Sequence, residues 1–184
     1  MKNILKFSFF IALFSTFPLA AQNETESIVW QVGRQLNWSD FKGTPEGKVY
    51  EAARSQFKIE FRYTGKTENN GLVLQFHVSA LFIPQDSWFV EEKKSNELLI
   101  HEQLHFDITE LFARKMRQEF KSAHISNDNY KVEIQAIYDN IMKEMKAYRS
   151  LYNDETFFGA NLNKQLEWNS KVRREMAELE KFAK

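Results

Sequence analysis

Apolar and polar positions alternate strictly from Ser55 to Tyr63, with Phe57, Ile59, Phe61 and Tyr63 on one face and Gln56, Lys58, Glu60 and Arg62 on the other. A period of two sends successive side chains to opposite sides of an extended chain, so the pattern predicts a half-buried antiparallel strand. The period returns from Leu72 to Phe82, where Leu72, Leu74, Phe76, Val78 and Ala80 alternate with Val73, Gln75, His77 and Ser79. Between the runs, Thr67 to Gly71 contains Asn69, Asn70 and Gly71, residues suited to a tight turn, and a hairpin is expected. His77 falls on its polar face and is expected to be solvated. A shorter apolar stretch, Ile28 to Val32, predicts a first strand. The run Leu36 to Gly43, followed by Thr44, Pro45 and Gly47, predicts a loop that Trp38 and Phe41 anchor to the core.

The period then changes from two to that of a helix. Ser95 is a suitable N-cap, and Leu98, Leu104, Ile108, Leu111 and Phe112 form a broad apolar stripe on a helix from about Asn96 to about Lys121. The series Arg114, Lys115, Arg117, Glu119 and Lys121 is read as its solvated face. Asp107 points away from this stripe's histidines and is expected to hydrogen-bond a loop or a basic residue. After the polar break His124 to Asn129, a second helix is predicted from about Tyr130 to Leu151, with Tyr130, Ile134, Ile137, Ile141, Met145 and Tyr148 facing the first helix. Asn153, Asp154 and Gly159 mark a break before a last, charge-rich helix from about Asn163 to Phe182. The fold class expected is therefore α+β: a small antiparallel N-terminal sheet followed by a helical half.

At the N-terminus, Lys2 and Lys6 precede an apolar stretch from Phe7 to Leu19, broken by Ser8, Ser15, Thr16 and Pro18 and followed by Ala20 and Ala21. This is the pattern of a cleaved secretory signal peptide, residues 1–21, which places the chain in the periplasm or outside the cell. The stretch is short of the ~20 apolar residues a transmembrane helix needs, so no span is expected in the mature chain. Residues 22–184 are long and aromatic enough, with 12 of the chain's 17 Phe, for a single domain. Balanced charge, 25 basic against 25 acidic residues, argues against a nucleic-acid partner. With no Cys, thiol nucleophiles and Cys-ligated zinc are excluded, and no disulfide helps the fold.

The candidate chemistry lies on the first helix, where His101, Glu102 and His105 form an H-E-x-x-H pattern. Residues four apart share a helix face, so two imidazoles can meet one Zn²⁺. Glu102 stands about 100° round the helix, near enough to serve as general base to a metal-activated water. The apolar stripe beside the histidines argues against two merely solvated side chains. For a third ligand the helical wheel favours Glu133, at the border of the second helix's stripe, with Asp154 and His124 as alternatives. The implied function is hydrolysis of peptide bonds in a peptide or protein substrate by a zinc metallopeptidase.

Several further pieces resemble a known bacterial family, the predicted secreted zinc-dependent proteases (domain of unknown function 922). They are Leu36 and Trp38 with Asp40, Phe41 and Gly43; His101-Glu102-Gln103 with His105-Phe106-Asp107; and Tyr152, Thr156, Gly159, Gln165 and Trp168. The resemblance runs from about Leu36 to Val172 and implies a zincin-like peptidase domain of the cell envelope. The family pattern carries Asp directly after the Tyr and His directly before the Gly, where this chain has Asn153 and Phe158. Phenylalanine cannot coordinate zinc. The competing reading is thus a catalytically silent envelope domain that keeps the scaffold for binding or structure.

Overall fold

The computed structural model describes residues 27–45, 50–68 and 71–184. The signal peptide proposed for residues 1–21, together with Gly47, Asn69 and Asn70, lies outside them.

The elements follow in the order β1 (Ile28–Val29), β2 (Ala53–Arg54), β3 (Phe57–Glu68), β4 (Gly71–Phe82), β5 (Trp88–Phe89), α1 (Asn96–Ser122), α2 (Tyr130–Thr156) and α3 (Leu162–Glu178). The class is α+β, with small antiparallel sheets preceding three helices. Strands β3 and β4 form the expected hairpin, in register from Phe57 opposite Phe82 to Glu68 opposite Gly71, and β1 pairs with the other edge of β4. Alternation does what it predicted: Ile59, Val78 and Ala80 are buried against the helices, and His77 is exposed on the outer face. The pairing of β2 with β5 is new, because two-residue strands carry no period to read.

The loop before β2 is pinned as its aromatics suggested. Asn37 caps a single 3-10 turn, Trp38–Asp40, and Asp40 returns a bond to the Asn37 backbone while pairing with Arg34 at 2.9 Å. Phe41 is buried, its ring 5.1 Å from that of Phe82. Gln103 Oε1, from α1, accepts the Leu36 N–H at 2.7 Å. Asp107 accepts from Trp30 Nε1 at 2.8 Å, the loop contact expected of it.

Helix α1 is the spine. Ser95 caps it by accepting the Leu98 N–H at 3.1 Å. The sheet covers one side and α2 and α3 cover another, so Leu104, Phe106, Ile108, Leu111, Phe112 and Met116 are all buried. This enclosure overturns one expectation: Arg114 and Arg117 are not on a solvated face. Arg114 is only 2% exposed. Its Nε donates to Glu110 and its Nη1 to the Met176 carbonyl and Glu180. Arg117 Nη1 donates to Glu110 and the Phe182 carbonyl, and its Nη2 to the Val78 carbonyl. A buried guanidinium is tolerated when its N–H groups are so occupied. Apart from Glu110 on the same helix, the partners come from β4, the end of α3 and the C-terminal turn Glu180–Phe182, which a helical wheel of α1 alone does not contain.

Helix α2 runs five residues beyond the expected end at Leu151, through Asn153 and Asp154 to Thr156. It stops where Phe157 takes a left-handed φ of 48° and donates its N–H back into the last turn. Asn161 then caps α3 by accepting the Lys164 N–H. Among the described residues no helix is long and apolar enough to cross a membrane.

Candidate metal centre

His101 and His105 stand one turn apart on α1, their ring centroids 4.9 Å apart and their planes nearly perpendicular. Tyr152, reaching over from α2, stacks on His101 at 4.7 Å and meets His105 edge-on at 4.8 Å. The Tyr152 hydroxyl donates to Gln165 Oε1 at 2.8 Å, and the same Gln165 oxygen lies 3.2 Å from His101 Nδ1. A proton on Nδ1 facing that oxygen leaves Nε2 of His101 as the lone-pair nitrogen. His105 Nε2 lies 2.9 Å from Asn153 Oδ1. The Asn153 side chain is also near enough to His101 to raise its pKa, so one amide faces both imidazoles.

Gly159 closes this side of the site. Its φ is +88°, and a Cβ there would lie 2.9 Å from Cβ and 3.0 Å from Cγ of His101. Both the backbone angle and the space therefore demand glycine. Thr156 braces the same turn, accepting the Gly159 N–H on its hydroxyl and donating that hydroxyl to the Tyr152 carbonyl. Tyr152, Thr156, Gly159, Gln165 and Trp168 thus form the wall behind His101. Trp168 packs on Tyr152 at 5.3 Å.

The opposite wall comes from the residues around β2. Ser55 Oγ donates to Glu102 Oε2 at 2.5 Å, and Glu102 is buried. Burial raises the Glu102 carboxyl to about 7, with Ser55 and Arg149 pulling the other way and Glu51 pushing it further up. Burial lowers the pKa of His101, and lowers that of His105 well below the ordinary value, where His101 and Arg149 add repulsion. Both imidazoles are therefore neutral at physiological pH, the state in which histidine binds a metal. Arg149, one turn before Asn153 on α2, donates through Nη2 to the His105 carbonyl and to Thr109 Oγ1. Its guanidinium, with Ser55, Leu98, Glu102, Asn153 and Phe158, lines an open cleft that contains both histidines.

Of the residues proposed from sequence, His101, Glu102 and His105 meet in this cleft. Glu133 does not. It stands in the first turn of α2, some 20 residues from Asn153 or about 30 Å along the helix. There its carboxylate accepts the Ser126 N–H at 2.8 Å and the Ser126 hydroxyl at 2.6 Å, tying down the α1–α2 connection. Those bonds hold its pKa below the ordinary carboxylate value. The helical wheel placed Glu133 at the right azimuth and the wrong height. His124 is exposed in that same distant connection, and Asp154 points to solvent beside Asn153. Sequence reasoning missed Asn153 and Arg149 as site residues.

Among the described residues, no three His, Asp or Glu side chains are grouped as a metal cage. The donor set is instead two neutral imidazoles and one amide oxygen, with a carboxylate beside them. These residues fit a zinc ion in kind and number: two imidazole nitrogens and one amide oxygen would hold it, the donor count of a catalytic rather than a structural site. The set lacks the anionic third ligand that would bind most tightly.

No curated protein and no solved structure matches the chain. Residues 23–159 match the profile described as bacterial protein of unknown function (DUF922), and with most of its length covered the chain belongs to that family.

Proposed function

We propose that the chain is an exported zinc-dependent metallopeptidase with a zincin-like centre. His101 and His105 hold the metal, Asn153 Oδ1 is the third donor, and Glu102 is the general base. The observation that carries the reading is the convergence of two neutral imidazoles and a buried carboxylate in one open cleft. A bound zinc would supply a Lewis acid that polarises a scissile carbonyl. The remaining work belongs to the chain. Glu102, with a carboxyl near 7, both accepts and returns a proton at neutral pH, which is the property a general acid–base needs. Ser55 fixes the orientation of that carboxylate. Gln165 and Tyr152 fix the ring of His101.

The test pairs zinc analysis with hydrolysis of a peptide library. Glu102→Gln should retain zinc and lose about 10²–10⁴-fold in rate. Absence of zinc from protein loaded at neutral pH would sink the proposal.

A second reading has its own observation. Asn153 and Phe158, at the positions where the resemblance implies Asp and His, both line the cleft beside the histidines. If the chain is a silent scaffold that binds rather than cleaves, Glu102→Gln should leave its function intact.

A further inference from the structure

Among the described residues one buried side-chain polar atom has no hydrogen-bond partner, the Nε of Arg149. Buried donors without partners are rare in folded proteins, and this one leaves hydrogen-bonding capacity unused in a guanidinium that lines the cleft. The rest of the guanidinium shows how it is held: Nη2 is fixed on the His105 carbonyl and Thr109, and the plane lies over the Phe57 ring at 5.1 Å. The charge is not neutralised from within. Glu102 is close enough to interact electrostatically, yet its carboxylate is turned to Ser55, and no carboxylate among the described residues pairs with Arg149. A rigid, desolvated and unpaired guanidinium suits a carboxylate better than any neutral group.

The walls around it are apolar. Phe57, Leu98, Ala52, Ala53 and Phe158 line the same cleft. Phe158 is 69% exposed and held at a φ of 54°, directly after Phe157 at 48°. Two successive bulky residues in the left-handed region cost on the order of 1–3 kcal/mol each, and the core gains nothing from an aromatic ring left in solvent. The turn presents Phe158 at the rim of the cleft.

We infer that Arg149 binds the free carboxylate of a peptide's C-terminal residue, whose apolar side chain packs between Phe57, Leu98 and Phe158. This deepens the peptidase reading, since it makes the substrate a peptide cleaved close to a free C-terminus. The binding itself needs neither metal nor hydrolysis.

The test is a titration of chelator-treated protein with N-acetylphenylalanine, its amide and N-acetylglycine. It is followed by calorimetry and by the nitrogen–proton correlation signal of the Arg149 Nε–H, assigned by its loss in Arg149→Lys. N-acetylphenylalanine should shift that signal and bind at least about tenfold tighter than the other two, and Arg149→Lys should lose about the same factor. Equal binding of acid and amide, saturation without a shift at Nε, or no binding overturns the inference. If Arg149→Lys does not fold, the acid–amide comparison on the unmodified chain decides. The two readings fail separately. Cleavage of C-terminally blocked peptides as fast as free ones overturns the carboxylate inference and leaves the peptidase. Acid-selective binding by a protein that cleaves nothing when loaded with zinc does the reverse.

Discussion

Replacing Gly159 by Ala tests whether the turn after α2 positions His101. Two costs can be separated. Alanine at a φ of +88° costs about 1–2 kcal/mol from backbone sterics alone. The new methyl would also lie 2.9 Å from His101 Cβ and 3.0 Å from its Cγ, closer than carbon atoms pack. Relieving that overlap costs a further ~1–3 kcal/mol and must move either the turn or the imidazole. The sum, about 2–5 kcal/mol, corresponds to a fall in melting temperature of roughly 5–15 °C for a chain of this size. Because Gln165 and Tyr152 hold His101 on its other sides, the displaced ring should also lose about 10–100-fold in zinc affinity. Gly33 supplies the control: its φ is +80°, but a Cβ there meets nothing within 4 Å. Gly33→Ala should therefore show the backbone cost of about 1–2 kcal/mol and unchanged zinc binding. Thermal melts and competitive zinc titration on the two variants decide the matter. If Gly159→Ala melts and binds zinc like Gly33→Ala, the contact with His101 has no consequence and the reasoning fails.

Asn153→Asp should tighten zinc binding by roughly tenfold or more, because it puts a carboxylate where a neutral amide now faces both imidazoles; unchanged affinity in a zinc titration would remove Asn153 from the centre. Glu110→Gln should destabilise the protein by about 3–5 kcal/mol in denaturant unfolding, since it leaves the buried Arg114 and Arg117 without their shared carboxylate. The pH dependence of stability in the metal-free protein follows from opposing signs. His101 and His105 have lowered folded pKa values, so their stabilisation is complete above the unfolded value of 6.5 and is lost as pH falls. Glu102 is raised from 4.5 to about 7, so its contribution is complete below 4.5 and is lost as pH rises towards 7. Glu102→Gln removes the term that offsets the histidines and should steepen acid destabilisation by up to about 1.4 kcal/mol per pH unit within that window, measured by denaturant unfolding at successive pH values.

The hairpin and the three helices were legible because each buries one face, and burying one face writes a period of two or 3.6 into the sequence. The paired short strands β2 and β5 were not, although Ser55, which holds Glu102, follows directly on β2. The third position of the centre was missed for a different reason. A helical wheel reports direction around an axis and says nothing of height along it. Helices α1 and α2 are antiparallel neighbours joined by a short connection, so height can be counted from the turn. His105 stands 17 residues before the last residue of α1, and the same count from the first residue of α2 reaches Ala147. Arg149 and Asn153 lie within two turns of that level, whereas Glu133 lies at the turn itself. Asn153 was further disguised because Asn, Asp and a following Gly resemble a helix end, and tertiary packing of Tyr152 and Thr156 carries α2 past them. The burial of Arg114 was not legible from α1 alone, since its pairing with Glu110 one turn earlier suits a solvated face equally well and its other partners are supplied by the end of α3 and the C-terminal turn.

Zinc-dependent cleavage of a peptide library by one preparation, compared with its Glu102→Gln variant at matched zinc occupancy, bears most directly on the central claim. One zinc per chain is expected in both proteins, with cleavage by the unmodified chain that a chelator abolishes and a loss of about 10²–10⁴-fold in the variant. Cleavage that survives Glu102→Gln, or a chain that holds no zinc at neutral pH, would contradict it.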